Sequence, residues 1–128
     1  MKLEHKNVNF EDARGTITDI FVNSPKDHAT IIFSKKGAVR GNHYHKLSTQ
    51  HDFVISGKIK MLTQKVGEDK IEETILGPYD YTTCEPGEAH TFVMLEDSTF
   101  ITFVTGVRGG EDYEKDTYRL EVPLNEQV

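Results

Sequence analysis

The decisive stretch of this sequence runs Gly37-Ala-Val-Arg-Gly-Asn-His43-Tyr-His45-Lys-Leu-Ser-Thr-Gln50. His43 and His45 are separated by one residue, so in an extended strand both imidazoles leave the same face and Tyr44 points to the opposite one. Two imidazoles on one face form a chelating pair. A third imidazole from His90 and a side-chain oxygen from Gln50 complete a set of donors that first-row divalent metals accept. The pattern predicts a metal site with room for water or substrate.

The same residues also allow an interpretation without metal. A neutral imidazole near pH 7 accepts a proton from a carbon next to a carbonyl, which makes His43 a candidate base. Tyr44 is a candidate proton donor to such a substrate. Gln50 either coordinates a metal or only hydrogen-bonds a bound water or substrate, and both alternatives stay open. His28 lies in a polar context and is expected at the surface.

Apolar and β-branched runs recur along most of the chain at intervals of about eight to twelve residues, a spacing typical of short strands. The predicted strands are Thr16–Val22, Ala29–Phe33, Val39–His45, Asp52–Ser56, Ile59–Val66, Ile71–Leu76, Tyr81–Cys84, Thr91–Leu95 and Thr99–Thr105. Turn signals such as Ser56-Gly57 and Gly77-Pro78 separate them. This rhythm indicates an all-β sandwich or barrel rather than an alternating α/β fold. The run Thr99–Thr105 carries bulk on both faces, which predicts a strand buried between two layers.

The C-terminal part of the chain departs from this rhythm. Residues 109–120 are rich in charge and predict a short turn or helix, followed by an extended segment that ends near Pro123. The last residues, Asn125 to Val128, are expected to be frayed.

Size and composition restrict the function further. A chain of 128 residues is expected to form one domain, residues 1–128. The single Cys84 excludes an internal disulfide, and the first residues lack the apolar run of a signal peptide, so a reducing cytoplasm is expected. No run approaches the ~20 apolar residues that cross a bilayer. With 21 acidic and 15 basic side chains the net charge is −6, which disfavours nonspecific nucleic-acid binding.

The spacing of glycines and histidines resembles the first motif of the cupin family. It is carried by Gly37, His43, His45, Gln50 and Gly57. Gly87 and His90 match part of the second cupin motif. The resemblance implies a double-stranded β-helix, which is a small jelly-roll barrel, with a short C-terminal turn or helix. It also implies one divalent transition metal per chain, zinc, iron, nickel or manganese, bound by His43, His45, Gln50 and His90. Many cupins have a glutamate where this chain has Gln50, so the oxygen donor here is neutral.

A narrower resemblance involves two arginine-containing segments. Asp12-Ala-Arg14-Gly15 and Arg40-Gly41-Asn-His43-Tyr44 resemble segments of deoxysugar epimerases that act on dTDP-4-keto sugars. The run His43-Tyr44-His45 with Gln50 also resembles the 3,4-ketoisomerases of dTDP-sugars. The run from Arg40 to His45 is similar to the C-terminal cupin domain of capsular-polysaccharide assembling proteins, which epimerises a UDP-4-keto sugar. The resemblance implies that His43 is the base, that Arg14 and Arg40 contact a nucleotide diphosphate, and that the protein is a homodimer.

The leading hypothesis is therefore a cytoplasmic metal-binding cupin that epimerises or isomerises a nucleotide-linked 4-keto sugar in surface-polysaccharide biosynthesis. One alternative is a cupin that binds or senses a small molecule without converting it. Another is a metal-dependent dioxygenase, which has the same histidine pair but needs a redox-active iron or copper.

Overall fold

The computed structural model of the protein describes residues 1–106 and 114–128. Its elements are β1 Lys2–His5, β2 Phe10–Asp12, β3 Gly15–Ile17, β4 His28–Ser34, β5 Val39–Tyr44, β6 Thr49–Ser56, β7 Ile59–Lys65, β8 Glu72–Leu76, β9 Asp80–Cys84, β10 Glu88–Met94, β11 Ser98–Thr105, β12 Tyr118–Arg119 and the short helix α1 Leu124–Gln127. Two five-stranded antiparallel sheets have the strand orders β1-β9-β6-β11-β4 and β12-β5-β10-β7-β8, and β2 and β3 form a separate hairpin. The all-β class predicted from the turn rhythm is confirmed.

The main core lies between the two sheets, because both sheets contribute inward-facing side chains to it. It consists of Val54, Ile59, Met61, Leu76, Cys84, Phe92, Met94 and Phe100. Burial of this apolar surface is the main favourable contribution to folding. Cys84 packs here as a small apolar side chain.

A second layer covers the outer face of the β6-β11 sheet. Phe53 and Phe103 are buried there with Tyr81, on the opposite face from the main core. Phe21 packs edge-on against Phe103, with ring centroids 5.0 Å apart. Strand β11 is therefore covered on both faces. This confirms the prediction made from the bulky side chains on both faces of Thr99–Thr105.

The same covering layer explains one wrong prediction. Of the predicted strand Thr16–Val22, only Thr16 and Ile17 are extended and paired, as part of β3. After Ile17 the chain leaves the hairpin, and the backbone N–H of Asp19 donates to the side-chain oxygen of Asn9 at 2.5 Å. This turn lets Phe21 lie over the sheet, and that packing outweighs the strand propensity of the segment.

The remaining predicted runs are strands whose ends differ by a few residues from the prediction, most of all at β6 and β10. The pattern did not reveal β1 or β2. These strands are four and three residues long and mostly polar, so they have no apolar alternation to detect. The extended segment expected before Pro123 is present as β12. The turn or helix expected at residues 109–113 lies outside the described residues.

The expectation of a frayed C-terminus is wrong. Residues 124–127 form α1, and Leu124 is fully buried against Leu62 and Ala89 on the outer face of the second sheet. The backbone N–H of Leu124 also donates to the side-chain oxygen of Asn42 at 2.8 Å. One buried leucine is sufficient to hold this terminal turn, although the polar residues around it predicted fraying. Within residues 1–106 and 114–128, no helix has the length and apolar character needed to cross a membrane.

Gly57 provides a test of how tightly the β6–β7 turn packs. A Cβ at Gly57 would lie 2.5 Å from the backbone oxygen of Asp97 and 2.6 Å from the Cα of Ser98. Gly67 is a matched control, because its φ of +91° is close to the +98° of Gly57 and nothing lies within 4 Å of its Cβ position. Both alanine substitutions should cost about 1 kcal/mol for the left-handed backbone. Gly57→Ala should lose a further ~1–3 kcal/mol from overpacking, measured by urea unfolding. Equal losses at both positions would contradict this packing.

Candidate functional site

The position of His43 depends on a bulge in β5. Thr91 of β10 is paired with Gly41, whereas His90 is paired with His43, so Asn42 has no partner in the register. Gly41 and Asn42 have φ of 94° and 58°. A Cβ on Gly41 would lie 2.6 Å from the backbone oxygen of His90. Glycine therefore permits the close approach of β5 to β10, and the extra residue turns His43 toward the inside of the barrel.

Asn42 connects this bulge to the C-terminal segment. Its side-chain oxygen accepts hydrogen bonds from Thr91 Oγ1 at 2.5 Å and from the backbone N–H of Leu124 at 2.8 Å. Its backbone oxygen accepts a hydrogen bond from the N–H of Leu120 at 2.9 Å. The residue that does not pair in the sheet is thus satisfied by other polar groups.

The three predicted imidazoles converge inside the barrel. The ring centroid of His43 lies 5.0 Å from that of His45 and 4.8 Å from that of His90. The ring centroids of His45 and His90 are 5.4 Å apart. One possible ligand atom from each ring lies within 4.8 Å of the others. In the described part of the chain, His43 Nδ1 and His90 Nε2 are buried without a hydrogen-bond partner. Buried nitrogens without partners are unusual and indicate a group that the site receives from outside the chain.

Gln50 adds an oxygen to this triad. Its Oε1 lies 3.0 Å from His45 Nε2, and Gln50 and His45 are both almost fully buried. The amide nitrogen of Gln50 donates to the Asp52 carboxylate, at 3.1 Å from Oδ2. Asp52 also accepts a hydrogen bond from Thr102 Oγ1 at 2.6 Å. Gln50 therefore directs its oxygen toward the histidines and its nitrogen away from them.

His45 is oriented by a residue far along the chain. Its Nδ1 donates to the backbone oxygen of Asp116 at 2.9 Å, since a carbonyl only accepts. The Asp116 carboxylate accepts hydrogen bonds from the backbone N–H groups of Lys46, Leu47 and Ser48 and from the Ser48 hydroxyl. It thereby holds the turn between the two ligand-bearing strands. A hydrogen bond from the second ring nitrogen is typical of histidines that bind metals.

Burial sets the ionisation of the site. Desolvation, with smaller contributions from the charges of His45 and Arg119, lowers the pKa of His43 to about 4. Desolvation and the neighbouring imidazoles lower the pKa of His90 well below its usual value. Desolvation raises the pKa of Asp52 to about 6, although Thr102 and Gln50 donate hydrogen bonds to it. At neutral pH His43 and His90 are therefore neutral, which is the form that binds a metal or accepts a proton.

A cavity of about 310 Å³ opens onto His43 and Gln50. Its walls combine apolar and polar side chains from both sheets: His28, Thr30, Ile32, Arg40, Gly41, His43, Gln50, Phe92, Phe100, Thr102, Val104 and Glu114. Arg40 lies at this cavity with its Nε donating to Ser34 Oγ at 2.5 Å. The cavity thus brings a neutral imidazole, a guanidinium and the carboxylate of Glu114 together with apolar walls, a composition typical of small-molecule sites.

Two residues assigned to the site from the sequence lie elsewhere. Tyr44 faces outward, where it packs beside Leu62 and Leu124 and stacks on Tyr118 at 5.4 Å. The hypothesis that Tyr44 is a catalytic proton donor is therefore not supported, because the alternation that aims His43 inward aims Tyr44 outward. Arg14 lies in the β2-β3 hairpin, is 87% exposed and pairs with Asp12. It does not reach the cavity of its own chain.

Three residues of the site were not recognised from the sequence. His28 is half-buried and lines the cavity instead of lying at the surface, because it shares one face of β4 with Thr30 and Ile32, which also line the cavity. The spacing of Gln50 and Asp52 on one strand face could have indicated that Asp52 lies behind the ligands. Asp116 contacts His45 although it lies 71 positions later in the chain, and no local sequence pattern predicts that contact.

Comparisons with known proteins agree with this geometry. The family model of the polysaccharide biosynthesis C-terminal domain matches residues 10–118. The capsular polysaccharide assembling protein CapF from Staphylococcus aureus is 27% identical, with a TM-score of 0.67 over 91% of this chain and 34% of CapF. The chain thus spans about a third of CapF. No curated protein matches the sequence significantly.

Two smaller proteins match over most of their own length. The dTDP-4-dehydrorhamnose 3,5-epimerase from Sulfolobus tokodaii is 24% identical, with a TM-score of 0.74 over 98% of this chain and 89% of that protein. The 3'-monoepimerase ChmJ from Streptomyces bikiniensis, solved as a double mutant with dTDP, is 15% identical, with a TM-score of 0.80 over 98% and 70% of the two chains. These likenesses confirm the predicted cupin jelly roll.

Proposed function

The chain belongs to the family of polysaccharide biosynthesis C-terminal domains, and we propose that it epimerises or isomerises a nucleotide-linked 4-keto sugar used for a surface polysaccharide. The observation that carries the proposal is the neutral His43 at a cavity that also contains Arg40. The names of the matched structures, which include two sugar epimerases and a capsular polysaccharide assembling protein, support the same substrate class.

The chemistry begins with the loss of a proton from the carbon next to the sugar carbonyl. A neutral imidazole accepts that proton, and the electron pair of the broken C–H bond moves into an enolate. Return of a proton from water to the opposite face of the same carbon inverts that carbon. Return of the proton to the former carbonyl carbon, with transfer of the neighbouring hydroxyl proton to the former carbonyl oxygen, moves the carbonyl. The lowered pKa keeps His43 unprotonated at neutral pH and therefore able to accept.

The donor set also fits one divalent metal ion per chain, zinc, iron, nickel or manganese. His43, His45 and His90 would hold the ion together with Gln50, and one nitrogen each of His43 and His90 is buried without a partner among residues 1–106 and 114–128. A bound ion would polarise the sugar carbonyl and stabilise the developing negative charge. His43 is either a ligand or the base, and both roles need its neutral form.

The diphosphate of the substrate would contact Arg40, because a guanidinium binds phosphate oxygens with two parallel hydrogen bonds. Arg40 is exposed at the cavity and held in place by Ser34. Phe92 and Phe100 form the apolar part of the wall, and Thr30 adds a hydroxyl for hydrogen bonding to the sugar.

Metal content tests the ligand set. Protein supplemented with zinc and then desalted should retain close to one ion per chain, and His90→Ala should lose most of it because a buried ligand is removed. His51→Ala is the matched control, since His51 is also a buried histidine but contacts Thr83 on the outer face of β6. Elemental analysis measures the zinc content of both variants, and the His51 variant should keep its zinc. Equal metal content in the His90 and His51 variants would exclude the triad as the binding site.

Proton exchange tests the reaction. In deuterated water the wild-type protein should place deuterium at C3 or C5 of a UDP- or dTDP-4-keto sugar, detected by mass spectrometry. His43→Ala should exchange at least ~100-fold more slowly, the lower range for loss of a positioned base. Tyr44→Phe should match the wild type because its ring lies outside the cavity. Arg40→Ala should need more substrate but exchange normally at saturation.

A repetition of the assay with a chelator tests whether the reaction needs the metal. Exchange that persists without metal identifies the imidazole as the base, and exchange that disappears shows that proton abstraction requires the ion. If the wild-type protein binds these sugars and no label enters, with or without metal, the protein is a binding protein and not an epimerase.

We also propose that the protein is a homodimer, which would allow Arg14 to reach the cavity of a second copy. The edge strand β4 exposes 68% of Ile31 and 58% of Phe33, and the hairpin exposes 52% of Phe10. Exposed apolar side chains on an edge strand favour association. Phe33→Glu should therefore convert a dimer into a monomer in light scattering, whereas Val66→Glu, on a turn, should not. A monomeric wild-type protein at micromolar concentration would contradict this proposal.

A further inference from the structure

We infer that Asp52 is a positioning residue for the site: it fixes the Gln50 amide with its oxygen toward His45 and supplies, from behind the ligands, the negative charge that glutamine lacks. This inference rests on the proposed metal site and deepens it. It concerns how a site without a charged ligand holds a divalent cation.

The orientation of Gln50 follows from the chemistry of its neighbours. Gln50 and Asp52 share a face of β6, and both side chains are buried, with Asp52 only 1% exposed. A carboxylate accepts hydrogen bonds, so the Gln50 nitrogen faces it, at 3.1 Å from Oδ2 and 3.4 Å from Oδ1. The reversed amide would place its oxygen against the carboxylate, where two acceptors repel each other. Asp52 therefore selects one of the two amide orientations.

Asp52 is itself held from the neighbouring strand. Thr102 is paired with Asp52 across β6 and β11, and its hydroxyl donates to Oδ1 at 2.6 Å. The three side chains form a line of hydrogen bonds in which Thr102 and Gln50 both donate to Asp52. A buried carboxylate without donors is costly, so these two bonds keep its position defined.

The consequence appears at His45. Because its Nδ1 donates to the Asp116 backbone, its Nε2 presents a lone pair toward Gln50 Oε1, 3.0 Å away. Two lone pairs that face each other require a positive centre, either a proton on the ring or a cation. Imidazole nitrogen and amide oxygen are both ligands of first-row divalent ions. The carboxylate behind Gln50 polarises the amide and increases the negative charge on its oxygen.

A purely structural role for Asp52 is the alternative. In that case Asp52 only joins β6 to β11 through Thr102, and its loss should lower stability without a specific effect on metal affinity. Moving the charge from position 52 to position 50 distinguishes the two roles. The variant Q50E with D52N keeps the total charge and reverses the hydrogen bond, because the asparagine amide then donates to the new carboxylate.

The experiment measures zinc affinity by competition with a chelator in the wild type, D52N, Q50E, the double variant and Thr102→Val. Zinc is a suitable probe because a nitrogen and oxygen site binds it more tightly than manganese or iron. D52N should bind zinc at least ~10-fold more weakly, as expected for loss of a partner behind a ligand. The double variant should return to within ~3-fold of the wild type. Thr102→Val should lose stability and weaken zinc binding less than D52N does, because it removes one donor to Asp52 but leaves the Asp52 charge and its contact with Gln50.

The possible results separate this inference from the function proposed above. If the wild type binds zinc and D52N binds it equally well, the inference is wrong and the metal site stands. If D52N is weak and the double variant does not recover, Asp52 is structural and the inference is also wrong. If the wild type binds no zinc, both the metal site and the inference are wrong. If D52N does not fold, the double variant decides: zinc affinity within ~3-fold of the wild type supports the inference, and weaker binding overturns it.

Discussion

The close approach of β5 to β10 at Gly41 is the constraint on which the rest of the site depends. A side chain at Gly41 would collide with the His90 backbone, and the extra residue Asn42 shifts the pairing so that His43 lies opposite His90. Side chains alternate along a strand, so a shift of one residue would turn His43 outward. The bulge therefore decides which face of β5 carries the triad, and the core between the sheets keeps it in place.

The site is completed by polar groups from distant parts of the chain. Asp116 holds the turn between β5 and β6 with its carboxylate and orients His45 with its backbone oxygen. Helix α1 and Asn42 attach the same C-terminal segment to the outer face of the sheet. A segment that contributes little to the main core thus determines the direction of one imidazole. This division is common in β-barrels, where the strands give rigidity and the connecting segments adjust the site.

The charge distribution of the site differs from one with a carboxylate ligand. Three of the four groups that would hold an ion are neutral at pH 7: the imidazoles of His43 and His90, whose pKa values are lowered, and the Gln50 amide. The carboxylate of Asp52 lies behind them, in contact with Gln50. An ion held by neutral ligands keeps more of its charge available for polarising a carbonyl, because fewer anionic donors reduce it.

The sequence alone determined the all-β class, most of the strands and the convergence of His43, His45 and His90, because turn residues and alternation are local and their spacing is fixed by strand geometry. The tertiary structure decided what depends on contacts between distant residues. It placed His28 at the cavity, Tyr44 outside it and Arg14 away from it. It also placed Asp116 next to His45, although the two residues are 71 positions apart in the chain. No periodic pattern records such a contact, since its energy comes from hydrogen bonds formed only after the barrel has closed.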